Sequence, residues 1–336
     1  MVTISEKTLF LTKPGTYVRK RSNHLLVEFK EIKDQKQLSF KFLLHEINKI
    51  VVYGRINFSS QALLLLMDEK IPIFYFSYNG TYKGSLIPSG IQTAEIAEKQ
   101  LLLSKKEKLN IAKSLIRSQI ESRITILNNN ISDDIKILIN SLRAYKDDIS
   151  SLKSFNSLRG KEGISSALYF KNFNRLIQSN EPFYRTRRPP TDIPNVLLSL
   201  GYSLITRSIE SRIRYFGLLP HKGLMHVERY GRPSLALDLV EQYRPFVEFF
   251  VIDQLNNGKI ENNDFFIDPE GIKFHDDGIK KFFGLWNNYV NEFSIKHPVL
   301  SGKEITLDQS IDWQVKQFVK ILIGEWSKYK SIELVK

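Results

Sequence analysis

The chain has 336 residues, with 49 Lys and Arg against 36 Asp and Glu, a formal charge of +13 and a pI near 9.5. It contains no cysteine, which excludes disulfides, thiolate metal sites and a cysteine nucleophile and fits a reducing compartment, with the cytoplasm as default. The length allows roughly two domains with real hydrophobic cores, and the longest apolar cluster, Ala62 to Met67, is far too short to span a bilayer. Neither a signal peptide nor a membrane anchor is expected. The charge suits a polyanion such as nucleic acid, although a merely basic surface satisfies it equally well.

Residues 1–90 read as a small β-rich domain. Short runs rich in Tyr, Phe, Ile and Val occur at Leu9 to Leu11, Tyr17-Val18, Leu25 to Phe29, Phe40 to Leu43 and Ile47 to Tyr53. One helix, capped by Ser59 or Ser60, is predicted through Ala62, Leu63, Leu66 and Met67 before Pro72. Asn79-Gly80 then separates Ile73 to Phe76 from Tyr82 to Ile87, a pattern that predicts a tight hairpin.

After Pro88-Ser89-Gly90 the periodicity becomes helical, so residues 91–336 read as a larger all-α domain and the whole as an α+β multidomain chain. One or two long helices are predicted over 91–127. Further helices are predicted near 133–145, 162–178, 193–216, 234–256, 276–295 and 308–329, with a short hairpin near Phe265 to Phe274. No internal repeat is visible.

The residues with chemical promise cluster in this second part. His226 lies in a loop between Gly223 and Gly231, and Ser234 is a plausible N-cap for the helix that follows. At 100° per residue Asp238 and Glu241 fall roughly 60° apart on one face of that helix. An imidazole and converging carboxylates suit a divalent ion used in phosphate chemistry. Ion pairs with Arg244, Arg232 or arginines of other helices would satisfy the same acids. Glu162, read as lying in a helical first turn, is the best third acid for Mg²⁺ or Mn²⁺. Arg185, Arg187 and Arg188, with Phe183 and Tyr184 before them and Pro189-Pro190 after, form an extended basic run able to grip phosphates and stack on bases. A solvated loop with salt bridges is the plain alternative. Arg232 joins these as a further nucleic-acid-binding residue.

The order of these motifs is distinctive. Glu162-Gly163 leads into a Tyr169-Phe170 helix and is followed by Phe183-x-Arg185-x-Arg187-Arg188-Pro189-Pro190-x-Asp192. Asn195-x-Leu197-Leu198-x-x-Gly201-Tyr202 comes next, then Gly223-x-x-His226, and Arg232-Pro233-Ser234-Leu235-Ala236-x-Asp238-Leu239-x-Glu241 completes the series. The series resembles the Cas one (Cas1) family, the integrase of CRISPR adaptation. Tyr53-Gly54, Ser59-Ser60 and Asn79-Gly80 resemble its N-terminal domain, so the likeness covers nearly the whole chain.

The resemblance implies a β-rich domain before an all-helical one, and a homodimer that joins the small protein Cas two in a heterohexamer on double-stranded DNA. It implies Glu162, His226 and Glu241 as ligands of Mg²⁺ or Mn²⁺, with Asp238 beside the metal. The implied reaction is strand transfer, in which a 3′ hydroxyl attacks a phosphodiester and inserts a short duplex into a repeat array. Water in place of the hydroxyl would make a general nuclease, and a non-enzymatic DNA-binding scaffold is the remaining alternative. Around residues 119–123 the family often has a Lys followed by Asn-Gln, whereas this chain has Gln119, Ser122 and Arg123.

Overall fold

The computed structural model describes residues 2–5, 8–30, 37–77, 82–88, 93–129, 132–179, 182–186, 189–269, 271–300 and 302–335. Two compact units divide the chain. One contains Met1–Ala94 with Arg214–Gly217, and the other Glu95–Ile213 with Leu218–Lys336.

The first unit is built on two sheets. Strands β1 (Val2–Ser5), β2 (Thr8–Leu11), β6 (Lys49–Tyr53), β8 (Ile73–Phe76) and β9 (Tyr82–Leu86) lie side by side in the order 1-2-6-8-9. The inner pairs β2·β6 and β6·β8 are parallel. Strands β3 (Tyr17–Arg21), β4 (His24–Lys30), β5 (Gln37–Leu43) and β7 (Asn57–Phe58) form the second sheet, in the order 5-4-3-7. Strand alternation explains two separate cores. Leu9, Leu11, Ile50 and Val52 face a core shared with Val18, Leu25, Val27 and the helix α1 (Ser60–Asp68), while Phe10, Val51, Phe74 and Phe76 form the other. Ser59 is the α1 cap, its hydroxyl accepting the Ala62 N–H at 3.2 Å. The expected Asn79-Gly80 turn lies outside the described residues, although β8 and β9 on either side pair antiparallel.

The second unit is mainly helical. It comprises α2 (Thr93–Leu102, which begins in the first unit), α3 (Lys105–Leu127), α4 (Asp133–Asp148), α5 (Phe155–Lys171), α6 (Phe173–Leu176), α7 (Ile193–Tyr215, which ends in the first unit), α8 (Ser234–Leu239), α9 (Arg244–Asn256), α10 (Asp276–Glu292) and α11 (Leu307–Leu322). It is not all-α. Strands β10 (Phe265–Asp268) and β11 (Gly271–Phe274) form the expected hairpin, and β12 (Ser294–Lys296) with β13 (Glu304–Thr306) form a second one that sequence periodicity did not predict. Strands of three residues are too short to carry a period. The 91–127 segment is two helices, because Ser104 and Glu107 form a reciprocal capping box that starts α3 afresh.

Three further expectations need correcting. Glu162 does not lie in a first turn: the hydroxyl of Ser154 caps α5 eight residues before that position, which puts Glu162 mid-helix. The predicted helix over 234–256 is interrupted by a 3₁₀ turn at Val240–Tyr243. Pro245 lacks the N–H that would bond the Glu241 carbonyl four residues back, and the Arg244 N–H takes that carbonyl in the tighter pattern. Ser234 is the first residue of α8 rather than its cap, and its hydroxyl donates to the Val227 carbonyl at 3.3 Å. Among the described residues no helix is long and apolar enough to cross a membrane.

Candidate active site

Asp238 organises one half of the site, within the second unit. Its carboxylate is fully buried and accepts four donors: the N–H groups of Leu224, Met225 (3.3 Å) and His226 (3.1 Å), and the His226 Nδ1 at 2.7 Å. The loop thus wraps around one carboxylate, and every residue from 224 to 226 is tied to it. Gly223 makes the wrap possible, since a Cβ there would lie 2.7 Å from the Asp238 Oδ2 and 2.9 Å from the Ser234 Cβ. Upstream, the buried amide of Gln100 on α2 spans the same loop, donating to the carbonyls of Leu219 and Lys222 and accepting the Leu219 N–H. With Nδ1–H donated to Asp238, Nε2 is the nitrogen left to meet a ligand on this partly exposed ring.

Glu241 belongs to a different environment. The 3₁₀ turn places its carboxylate against α3, where Oε2 accepts the Gln119 Nε2 at 2.6 Å and the Arg244 Nε at 2.7 Å. The Arg244 pair is one of the two outcomes left open by the sequence. Arg244 also lies within electrostatic reach of Glu162. Burial opposes its charge, but Glu241 foremost, then Tyr202 and last Glu162 reverse that and push its pKa above the ordinary arginine value.

Behind Glu162 stands a buried relay. Its Oε1 accepts the Ser166 hydroxyl at 2.8 Å, and that hydroxyl accepts the Arg123 guanidinium at 2.7 Å. Arg123 forks onto Glu248 through Nε at 3.0 Å and through a terminal nitrogen at 2.8 Å, both side chains being almost wholly inaccessible. Tyr202 donates to the same Glu248 oxygen at 2.8 Å. Burial disfavours the Arg123 charge, yet the adjacent Glu248 outweighs it and raises the pKa. Burial, reinforced by Glu248, likewise keeps the Tyr202 phenol protonated far above the ordinary tyrosine value.

The three expected ligands therefore sit in two settings. Among the described residues no group of three His, Asp or Glu side chains is gathered closely enough to hold a metal ion. Asp238 and Glu241 bind different partners, the His226 loop for one and Gln119 with Arg244 for the other. The donor chemistry nevertheless suits a hard divalent ion: an imidazole oriented through its other nitrogen, two carboxylates, and the buried Gln119 carbonyl, which has no hydrogen-bond donor.

The expected nucleic-acid residues differ in setting. Tyr184 is 74% exposed. Arg185 is held by Asn195 at 2.7 Å and Ser199 at 3.2 Å, with its guanidinium over the Tyr202 ring, which Arg244 also faces. Arg187 and Arg188 lie outside the described residues. The backbone of Arg232 accepts the His221 Nδ1 at 2.8 Å, which helps close the His226 loop. Ser166, Glu248, Tyr202 and the Gln119 contact were not anticipated as parts of the site. The available signal was on α3, where Gln119 and Arg123 interrupt the otherwise apolar buried stripe of Ala112, Leu115, Ile116, Ile126 and Leu127.

The family model described as CRISPR associated protein Cas1 matches residues 9–288. The chain is 30% identical over 329 residues to CRISPR-associated endonuclease Cas1 4 of Methanospirillum hungatei, covering 97% of this chain and 91% of the relative. It is 32% identical over 323 residues to CRISPR-associated endonuclease Cas1 3 of Thermus thermophilus, covering 94% and 95%. Among solved structures, a partial Cas6-RT-Cas1–Cas2 complex superposes with a TM-score of 0.74 at 24% identity, covering 97% of this chain and 98% of that one. A casposase bound to integration product gives 0.72 at 22% identity, covering 96% and 92%. A family match extending from β2 into α10 takes in Glu162, His226, Asp238 and Glu241 together, and this chain is a member of the Cas1 family.

Proposed function

We propose that this protein is a divalent-metal-dependent DNA integrase of CRISPR adaptation, joining a 3′ hydroxyl to a phosphodiester of a repeat array. The carrying observation is the Asp238–His226 pair, which fixes the imidazole with Nε2 free, Asp238 standing three residues before a carboxylate, Glu241, that is paired with Arg244, a cation within electrostatic reach of Glu162. His226, Glu162 and Glu241 would hold Mg²⁺ or Mn²⁺, with Glu241 exchanging its contact with Arg244. The bound ion would polarise a phosphoryl oxygen and stabilise charge on the entering and leaving oxygens. Asp238 orients the imidazole and keeps its proton on Nδ1. Ser166 and Gln119 orient the two carboxylates, and Arg244, once released, supplies a positive charge beside a phosphate oxygen. Strand transfer exchanges one P–O ester for another, so no nucleotide hydrolysis is required, in keeping with the absence of a G-x-x-x-x-G-K-S/T motif.

The proposed partners are double-stranded DNA, a second copy of the chain, and a Cas2 protein in a heterohexamer, with the cytoplasm as the setting. The structural likeness to Cas1–Cas2 complexes supports the Cas2 assignment. Full-length protein incubated with Cas2, a 3′-OH duplex and a supercoiled target is expected to give joined products only with Mg²⁺ or Mn²⁺. His226→Ala and Glu241→Ala are each expected to abolish joining. Joining that persists in either variant overturns the assignment, and 5′-phosphate fragments without joined species favour the hydrolytic nuclease.

A further inference from the structure

A second feature of the helical unit lies on another part of α3. A cleft of about 840 Å³ opens between the N-terminal half of that helix, Ser150, the turn at His297-Pro298 and the C-terminal segment 328–335. Five cations line it: Lys113, Arg117, Lys296, Lys328 and Lys330. The only carboxylate in the lining is Glu333. Lys113 Nζ donates to the Ser150 carbonyl at 3.1 Å and Arg117 to the Ser150 hydroxyl at 2.5 Å, and among the described residues none of the five forms an ion pair.

The cleft is a built feature. The C-terminal segment alternates, with Tyr329, Ile332 and Leu334 buried, and it is fastened by side chains rather than by a sheet. Ser114 donates to the Tyr329 carbonyl at 3.2 Å, Ser122 accepts the Leu334 N–H at 3.0 Å, and Gln314 and Gln317 both donate to the Lys330 carbonyl at 3.0 Å. Gln242, the residue after Glu241, accepts the Ile332 N–H at 3.0 Å and donates to the Tyr329 hydroxyl at 3.2 Å. Folding thus gathers five like charges around one cleft against a single carboxylate, Glu333, which lies within electrostatic reach of Arg117, an excess that self-repulsion disfavours unless an anion is bound.

We propose that this cleft binds the phosphodiester backbone of a nucleic-acid strand at a location separate from the catalytic residues. Five cations around a cavity this large exceed what a single phosphate needs, and lysines suit a flexible run of phosphates. An acidic peptide is a poorer fit, because peptide sites need apolar anchors and the lining offers only Tyr329, Pro298 and Val335. His297 contributes a neutral donor: its Nδ1 accepts the N–H groups of Val299 and Leu300, which leaves the ring proton on Nε2. The inference rests on reading the chain as a DNA-binding protein, which metal-dependent joining by the unaltered protein tests independently.

The test uses the full chain and a fluorescein-labelled duplex, with affinity followed against salt. The triple variant Lys113→Ala, Lys328→Ala, Lys330→Ala is expected to flatten the slope of log K against log salt by roughly two to three, at about 0.9 per neutralised phosphate. Its joining rate at saturating DNA should stay unchanged. A charge-matched control at the exposed Lys136, Lys259 and Lys280 should leave the slope within about one unit of wild type. A pair of reversals, Lys328→Glu with Lys330→Glu, should lower affinity further without altering the melting temperature. An unchanged slope in the triple variant overturns the proposal, as does an equal loss in the control. Displacement of the duplex by inorganic pyrophosphate at equal phosphate concentration, or by an oligoglutamate peptide of equal charge, also overturns it, because the cleft would then select small anions or acidic peptides.

Discussion

The two halves of the candidate active site are held by different physics. Around His226, three backbone N–H groups and an imidazole converge on one buried carboxylate, and Gly223 admits the close approach. Around Glu241 and Glu162, the organising element is a cation, Arg244, backed by side-chain hydrogen bonds from Gln119 and Ser166. Backbone donors cannot leave without unfolding the loop, whereas a guanidinium on a long side chain can swing away. The imidazole half is therefore fixed by backbone, and the carboxylate half by side chains that could exchange Arg244 for the proposed metal ion.

Breaking the buried foundation of the exchangeable half should have the largest effect. Arg123→Met leaves Glu248 inaccessible and without its guanidinium, so unfolding in urea should show a loss of about 3–5 kcal/mol. Adding Glu248→Leu should recover most of that stability, because replacing both charges removes the stranded one. A single variant that loses less than about 1 kcal/mol would mean that the pair does not underpin this half. On the preorganised side, Asp238→Asn keeps the shape but replaces one acceptor atom with a donor facing backbone N–H groups. A loss of about 2–3 kcal/mol is expected. The ¹⁵N shifts of His226 should at the same time report a mixture of tautomers in place of Nδ1–H alone. An unaltered tautomer would remove Asp238 from its orienting role.

This division explains what the sequence could reveal. Asp238 and His226 are twelve positions apart and meet through a local loop, so Gly223, His226 and Asp238 could be read together as a unit. The contacts of Glu241 depend on Gln119, more than a hundred residues away, and on a 3₁₀ turn that follows from Pro245. Three residues apart, the two acids stay close on the helix circumference at 100° or at roughly 120° per residue, so periodicity groups them, whereas the partner each one binds depends on tertiary contacts. Glu162 was misread as helix-initial because Gly160 and Gly163 resemble a boundary, whereas the Ser154 cap and the packing of Leu158 carry the helix through them. The β-rich first unit was legible because strand alternation is local. The pairing of β2, β6 and β8 in parallel was not, since it depends on chain crossovers.

The smallest expected effect gives the finest test of the comparison. The Ser166 hydroxyl donates to Glu162 and accepts from Arg123, so it is the one joint between the buried pair and the acid. Ser166→Ala removes that joint while leaving the Arg123–Glu248 fork intact, and stability should fall by only about 1 kcal/mol. Affinity for Mn²⁺, measured by calorimetry, should weaken by about tenfold, in the range typical of groups that orient a metal ligand. Ser166→Thr keeps the hydroxyl and should restore binding. The His226 tautomer should not change in either variant, because Asp238 acts independently of this relay. If Mn²⁺ affinity is unchanged in Ser166→Ala, Glu162 is oriented by something other than the Arg123 relay. If the His226 tautomer shifts as well, the two halves are coupled, and the distinction between a fixed imidazole and an exchangeable carboxylate pair collapses.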